Sequence, residues 1–425
     1  MWGRPCPALP SRPCRAQSRR AMRGSLDVGV IGAGTAGAAV ALALVRAGHR
    51  VTVYERVRQP EANGAGILLQ PTGQCALRRL GLLDAVLARC APIAQLRCET
   101  LGRREVFRLR YDDIPGGHKG YGLHRGVLFR ALFDALGPAG VTLRTGVEVE
   151  DLAEAREGWV HFVTPSRERL GPHQLCIVAD GARSQLRDDT DLEKSVTPHT
   201  WGATWCVLED PENVFAGELR QVVQGTRRMV GSLPSGVGPE GDTPRVSVFG
   251  SLRATEVDAW RARGLDAWKA DVREAMPALD PLLAQVRSLD EVLFTRYHDV
   301  SMPAWHCGHV VYLGDAAHAM SPQLGQGANL ALWDAMVLAE CVAAEASVDL
   351  ALARYSDARR AHLRFYQAAN RWATLWFQSD HDALGALRDA FMPLAMKVPP
   401  LYRAMVTTLA GINTGVGLGA TEPLR

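Results

Sequence analysis

The segment from Leu26 to Glu55 constrains this chain more than any other. Residues 26–31 (LDVGVI) are a short apolar run rich in β-branched residues, which suits a buried parallel strand. Gly32-Ala-Gly34-Thr-Ala-Gly37 follows, an alanine- and leucine-rich helical stretch runs from Thr35 to Ala47, and VTVYE at 51–55 reads as a second strand. Strand, glycine-rich turn, helix and strand within about thirty residues make a βαβ unit and hence a parallel sheet. The first glycine permits a tight turn, and the second lets the backbone approach a pyrophosphate. The third lets helix and strand pack closely, while the helix N-terminus offers unpaired N–H groups and partial positive charge. Glu55 ends the second strand, where a carboxylate accepts both hydroxyls of a ribose and repels a 2′-phosphate; Arg56 follows it, beside the expected adenosine. This unit binds a dinucleotide without distinguishing NAD from FAD.

Two later segments bear on that choice. Asp180-Gly181-Ala-Arg-Ser184-Gln-Leu-Arg187 follows the buried strand 175–179, and a carboxylate at a strand's C-terminal end sits where α/β sheets bind ligands. Gly314-Asp315-Ala-Ala-His318-Ala-Met-Ser-Pro322-Gln-Leu-Gly325-Gln-Gly327-Ala328-Asn329 follows a third buried strand, HVVYLGD at 309–315, and precedes a long helix. Asp315 is placed to hydrogen-bond polyol hydroxyls. Gly325 and Gly327 leave N–H groups at the helix start that can face an anionic flavin edge. His318 reads as a packed or backbone-bonded histidine.

With these three segments in this order and at these separations, the chain resembles the FAD-dependent (group A) monooxygenases of the p-hydroxybenzoate hydroxylase type. The match spans residues 26–340 and is densest at the three motifs. The resemblance implies FAD as cofactor, with Gly32, Gly34 and Gly37 on the pyrophosphate, Glu55 on the ribose and Asp315 on the ribityl chain. It implies Asp180 facing both FAD and a reduced nicotinamide, Arg125 of HRGVLFRAL on the FAD chain, and Pro322, Gly325, Gly327, Ala328 and Asn329 bordering the isoalloxazine ring. It also implies a reaction: NADPH or NADH, as a transient visitor, reduces the flavin. Oxygen then forms a C4a-hydroperoxide, and the distal oxygen passes to an electron-rich ring in a site that excludes water. The one further GxGxxG match, Gly236-Val-Gly238-Pro-Glu-Gly241, leads into the strand-like run RVSVFGSL rather than a helix, so no second strand–turn–helix fingerprint is present to hold a nicotinamide nucleotide stably.

The expected fold class is α/β: an FAD-binding Rossmann-like βαβ domain with an inserted, mostly antiparallel β-sheet substrate domain and a helical C-terminus. A helix is predicted over 72–90 and another over 125–136, with short strands over 141–163. Tryptophans 201 and 205 and alternating runs such as RVSVFGSL at 245–252 place antiparallel strands between 196 and 300. The FAD-binding domain is read as 26–94, 120–195 and 300–378, the substrate domain as 95–119 and 196–299, and a C-terminal helical segment as 379–425. Trp201, Trp205, Gln221, Phe249 and Tyr297 are candidates for lining the substrate pocket, though aromatics facing a core more often pack than bind. Tyr297 and His298 are weak candidates for polarising a phenol, and no general base is assigned.

Charge narrows the partners. The net +3 comes from residues 1–25, which carry six arginines and no acid; the remainder has 42 basic against 45 acidic residues, so the body lacks the bias that nucleic acid selects. The arginine-rich start, interrupted by four prolines, reads as a disordered tail or as sequence upstream of a start at Met22. Nine scattered cysteines without a CxxC fit a reducing cytoplasm and argue against a disulfide framework or a cysteine zinc site, so no metal is expected. No uncharged apolar run approaches about eighteen residues, so stable membrane insertion is not expected. The amphipathic residues 379–425 read as cover for the substrate domain or a dimer contact ahead of a membrane-surface element, and the chain as monomer or homodimer. The remaining readings are an FAD-dependent halogenase, weakened by the lack of WxWxIP, a flavin-dependent reductase, and a flavin-binding protein without catalysis.

Overall fold

The computed structural model describes residues 24–414 apart from 62, 63, 115, 116, 157, 188–191 and 193. Residues 1–23, nearly all of the basic start, and 415–425 therefore lie outside the described residues.

The βαβ unit forms as its residue pattern dictates. Strand Asp27–Ile31, helix Thr35–Arg46 and strand Arg50–Glu55 follow one another, and the two strands pair in parallel. They lie in a six-stranded sheet ordered His306–Cys307, Val310–Tyr312, Leu175–Val178, Asp27–Ile31, Arg50–Glu55, Thr142–Thr145. Every pairing is parallel except the outermost, between His306–Cys307 and Val310–Tyr312. All three motif-bearing strands sit side by side, so their C-terminal ends deliver the three motifs to one edge.

A second, nine-stranded sheet stands against this layer. Its order runs Leu293–Ser301, Ser195–Glu209, Pro244–Arg253, Arg228–Val237, Gly217–Gln224, Ala91–Thr100, Gly120–His124, Gly66–Leu69, with Glu105–Arg110 also paired to Ala91–Thr100. It is antiparallel except where Gly217–Gln224 meets Ala91–Thr100. Two of its strands, Gly66–Leu69 and Gly120–His124, come from stretches read as belonging to the nucleotide-binding part. A three-stranded sheet, Asp151–Arg156 with Trp159–Val163 and Arg169–His173, completes the β structure.

The helix expected over 72–90 is two helices, Pro71–Arg79 and Leu83–Leu87. Gly81 separates them in the left-handed region at φ +62°, which ends a helix at no steric cost to glycine. Helix Arg125–Phe133 opens at the predicted position.

Three apolar clusters hold the molecule. The largest joins the parallel sheet to its helices, and the other two lie on opposite faces of the nine-stranded sheet. One face is covered by helix Val257–Ala275. The other is covered by Phe377 at the end of helix Val348–Phe377 and by Met392, Met396, Tyr402 and Met405 of helices Asp382–Ala395 and Pro399–Leu409 and the turn between them. Among the described residues only helix Gly327–Ala344 is long and apolar enough to cross a membrane, and 67% of that stretch is buried inside the fold.

Candidate functional site

Three glycines shape the first turn in three different ways. Gly32 adopts φ +95°, and a Cβ there would lie 2.6 Å from the Ala179 carbonyl oxygen. A Cβ on Gly37 would lie 1.9 Å from the Gly32 oxygen, so only glycine lets the helix seat on the turn. At Gly34 a Cβ would meet nothing within 4 Å. Its missing side chain serves no packing contact within the protein and leaves open space over the N-terminus of helix Thr35–Arg46, which has no side-chain cap. This is a cradle for an anionic group. Glu55 braces it: Oε2 accepts from Ala33 N at 2.8 Å and Oε1 from Val57 N at 2.9 Å, which fixes the carboxylate at the strand's end beside the turn.

Gly314 wedges the third motif into the same place. A Cβ on it would lie 2.9 Å from Cβ of Ala36 and 3.2 Å from Cβ of Ala331, so the turn sits between the N-terminal parts of helices Thr35–Arg46 and Gly327–Ala344. The next residue, Asp315, is exposed, and a Cβ on Gly327 would lie 3.8 Å from its Oδ1. Helix Gly327–Ala344 likewise lacks a side-chain cap, so its first N–H groups are free to meet an anion. Gly325, in the left-handed region at φ +60°, ends the turn Pro322–Leu324 and packs near Leu68. Pro322 is exposed, and Ala328 half-buried.

Asp180 carries the clearest sign of a missing partner. Its Oδ1 is buried without a hydrogen bond. Burial is the main influence on this carboxyl and raises its pKa; Ser184, its own backbone N–H, Arg187 and Arg56 pull the other way. An exposed Arg56 is thus near enough to act on Asp180, and the second motif joins the first. Arg125 stands further along, exposed at the start of its helix, with Gly64 (φ +137°) folded against its stem.

Asn329 differs from its neighbours in the motif. It is fully buried, and its side chain is committed to backbone: Oδ1 accepts from Gln70 N at 2.8 Å, while Nδ2 donates to Leu68 O at 2.9 Å and Gly325 O at 3.0 Å. It clamps the Gly325 loop to the strand Gly66–Leu69.

Behind the motifs lies a buried ionic chain that the sequence reading missed. His318 Nε2 is 2.6 Å from Asp334 Oδ2, and Asp334 Oδ1 accepts from Arg359 Nε at 2.7 Å. Asp334 also accepts from Gly314 N at 3.1 Å. Arg359 meets His362 Nδ1, whose Nε2 bonds the Gly411 carbonyl at 2.8 Å. Burial raises the Asp334 carboxyl, but His318 and Arg359 beside it outweigh this and bring it to about 2, and burial with the Arg359 charge lowers His362 to about 3. The chain was detectable in principle: Asp334 is an acid inside the apolar run NLALWDAMVLA, and such residues are buried only when paired.

Three of the five pocket candidates, Gln221, Phe249 and Trp205, stand in one row. Gln221 stands opposite Gly231, Gly231 opposite Phe249, and Phe249 opposite Trp205 across adjacent strands. Directly opposed residues share a face, and Gly231 leaves the gap into which the Phe249 ring leans, within 2.1 Å of where a Cβ would be. The Trp205 and Phe249 rings lie 5.2 Å apart. Trp201 is 4% exposed, under the Arg253 guanidinium.

Tyr297 and His298 do not act as a pair, because successive strand residues point to opposite faces. Tyr297 joins Trp205; burial pushes its phenol upward and the indole beside it draws it partly back. His298 is lowered by burial first and then by Arg296, Arg183, His199 and Arg187, which places it toward the Asp180 segment.

Two helix N-termini, an open cradle, an orphaned carboxylate oxygen and an exposed carboxylate at one sheet edge fit a flavin dinucleotide, on a mixed α/β fold with a large, mostly antiparallel second sheet. Comparison with known proteins agrees. Residues 25–368 match the model of the FAD binding domain family, and the chain belongs to that family, that of the FAD-dependent monooxygenases. It is 31% identical to the aurachin C monooxygenase/isomerase of Stigmatella aurantiaca over 80% of this chain and 86% of that one. It is 29% identical to a probable 2-heptyl-3-hydroxy-4(1H)-quinolone synthase of Rhodococcus erythropolis over 78% and 83%. The fold matches Klebsiella pneumoniae HpxO, solved with FAD and uric acid, at TM-score 0.76 and 21% identity over 91% of this chain and 97% of that one.

Proposed function

We propose that this FAD-dependent monooxygenase hydroxylates an aromatic or polycyclic, quinolone-like small molecule, with NADPH or NADH as reductant and oxygen as co-substrate. The observation that carries the substrate class is the row Gln221–Gly231–Phe249–Trp205 with Tyr297 beside it. A face of apolar rings with few polar groups holds a flat ring by stacking and orients it by single hydrogen bonds. Two relatives whose names refer to a quinolone product or a monooxygenase reaction support the same class.

Each site residue has a task in this reading. Gly32, Gly34 and Gly37 with the first helix N-terminus hold the FAD pyrophosphate; Glu55 holds the ribose with Arg56 beside it. Arg125 meets the FAD chain, Asp315 the ribityl hydroxyls, and Asp180 supplies its free Oδ1 to cofactor or reductant. Pro322, Gly325, Gly327 and Ala328 border the ring, held by Asn329. When bound, FAD supplies the redox and oxygen-activating chemistry. Tyr297, held protonated by burial, donates a hydrogen bond to a ring oxygen and keeps the substrate in register, and the apolar row excludes water. His298, held neutral among cations, accepts hydrogen bonds on the Asp180 side. The protein works as a cytoplasmic monomer or homodimer.

The test is NAD(P)H consumption by the yellow protein with a panel of phenols, quinolones and aromatic polyketides. Stimulation by one class, with one oxygen added to the ligand's mass, is the expected result; stimulation without added oxygen, or no reduction of the flavin with any ligand, overturns the reading.

A further inference from the structure

The C-terminal helices are apolar on both sides. Their inner side is anchored: the buried Arg388 donates to the Trp376 carbonyl at 2.8 Å and lies 4.9 Å over the Phe377 ring, Gly385 packs on the Gly225 backbone, and Tyr402 donates to Asp113. Met392 and Met396 join the cluster that contains Phe249 and Trp205.

The outer side has no cover. Leu387, Phe391 and Leu394 stand at helical spacing along Asp382–Ala395 and are 43%, 61% and 56% exposed. Val398 and Leu401 continue this outward series across the turn, at 44% and 47%. Trp372, near the end of the preceding helix, is 65% exposed and stacks with Trp376. Large exposed apolar side chains concentrate here more than anywhere else among the described residues.

Charge selects the occupant. Residues 390–414 contain Lys397 and Arg403, both exposed, and no acid, while the two acids of helix Asp382–Ala395 are already paired, Asp382 with Arg227 and Asp389 with Arg388. Arg371 is exposed beside Trp372. A two-fold contact with a second copy would bring these cations toward their own equivalents with no carboxylate from this stretch between them. An anionic lipid surface instead takes the apolar side chains at the headgroup boundary and attracts the flanking cations. We propose that the outer face of helices Asp382–Ala395 and Pro399–Leu409 docks this protein, peripherally and without spanning, on an anionic lipid bilayer.

The experiment is co-sedimentation of the full-length flavin-loaded protein with vesicles of phosphatidylcholine plus phosphatidylglycerol, and with phosphatidylcholine alone. Wild type is expected to sediment with the anionic vesicles and to be released by salt. Phe391→Ser with Leu394→Ser should weaken binding by about tenfold or more. Lys397→Gln with Arg403→Gln should weaken it by about fivefold for each charge. Bound-flavin absorbance and light scattering, recorded on every variant, report the fold and the oligomeric state. The proposal is overturned if wild type stays in the supernatant with anionic vesicles, or if the folded Phe391→Ser/Leu394→Ser variant sediments as wild type does. It is equally overturned if wild type is a dimer that this substitution dissociates. None of these readouts involves turnover, so they stand apart from the assignment of the reaction.

Discussion

His318 and Asp334 form a buried hydrogen-bonded pair, Nε2 to Oδ2 at 2.6 Å, directly beneath the Gly314–Asp315 turn. Asp334 also takes Gly314 N and Arg359 Nε, so one carboxylate ties a cofactor motif to two helices. Removing it leaves three buried groups, His318 Nε2, Gly314 N and Arg359 Nε, without this acceptor. Asp334→Ala is expected to cost about 3–5 kcal/mol, read as a lower urea midpoint. A loss below about 1 kcal/mol would show that the network is not part of what holds the turn.

Acid sensitivity follows from the same network. The Asp334 carboxyl titrates at about 2 in the fold, below its unfolded value near 3.9, so its contribution is present above about pH 4 and is lost as pH falls toward 2. His362 titrates at about 3 in the fold against about 6.5 unfolded, so protons favour the unfolded chain below pH 6.5 and stability falls progressively from there toward pH 3. The melting temperature should therefore drop between pH 6.5 and 3, and His362→Gln should flatten that slope. An unchanged slope in the variant removes His362 from the explanation.

The three fingerprint glycines separate cofactor binding from folding. Gly34→Val places a side chain in open space within the protein but in the anion cradle, and should abolish FAD binding with the apoprotein's urea midpoint nearly unchanged. Gly37→Val meets the Gly32 carbonyl and should lower that midpoint by several kcal/mol of stability. Flavin fluorescence titration paired with urea unfolding measures both; FAD bound normally by Gly34→Val would refute the cradle.

How much of this was legible depends on the distance over which each signal acts. The turn at Gly32–Gly37, Glu55, and the segments at Asp180 and at Gly314–Asp315 are local patterns of strand, turn and helix, and the fold places all of them at one sheet edge. The break at Gly81 was hidden because leucines and alanines recur through it at helical spacing. Strand Gly66–Leu69 joins the large sheet only through Gly120–His124, about fifty-five residues on, and no local pattern announces such a pairing. The row from Gln221 to Trp205 is likewise a matter of register between strands. Asp334 did carry a local signal, an acid in an apolar helix, but its partner Arg359, and the His362 that Arg359 meets in turn, lie on another helix.

Tyr297 is expected to act as a hydrogen-bond donor and never as a base near neutrality, since burial pushes its phenol up. Tyr297→Phe should lower hydroxylated product per NAD(P)H consumed by about fivefold, the worth of one hydrogen bond. The shape of the pH–rate profile between pH 6 and 9 should stay the same. Loss of an alkaline limb in the variant would contradict the protonated-donor role.

The most direct test of the central claim is to run the reaction under isotopically labelled oxygen gas, using the ligand that best stimulates NAD(P)H oxidation. Mass spectrometry then reports the source of the new oxygen atom. The account predicts one labelled atom per hydroxylated product and none when labelled water replaces labelled gas. Product oxygen derived from water, or flavin turnover that yields only hydrogen peroxide with every ring tested, would contradict it.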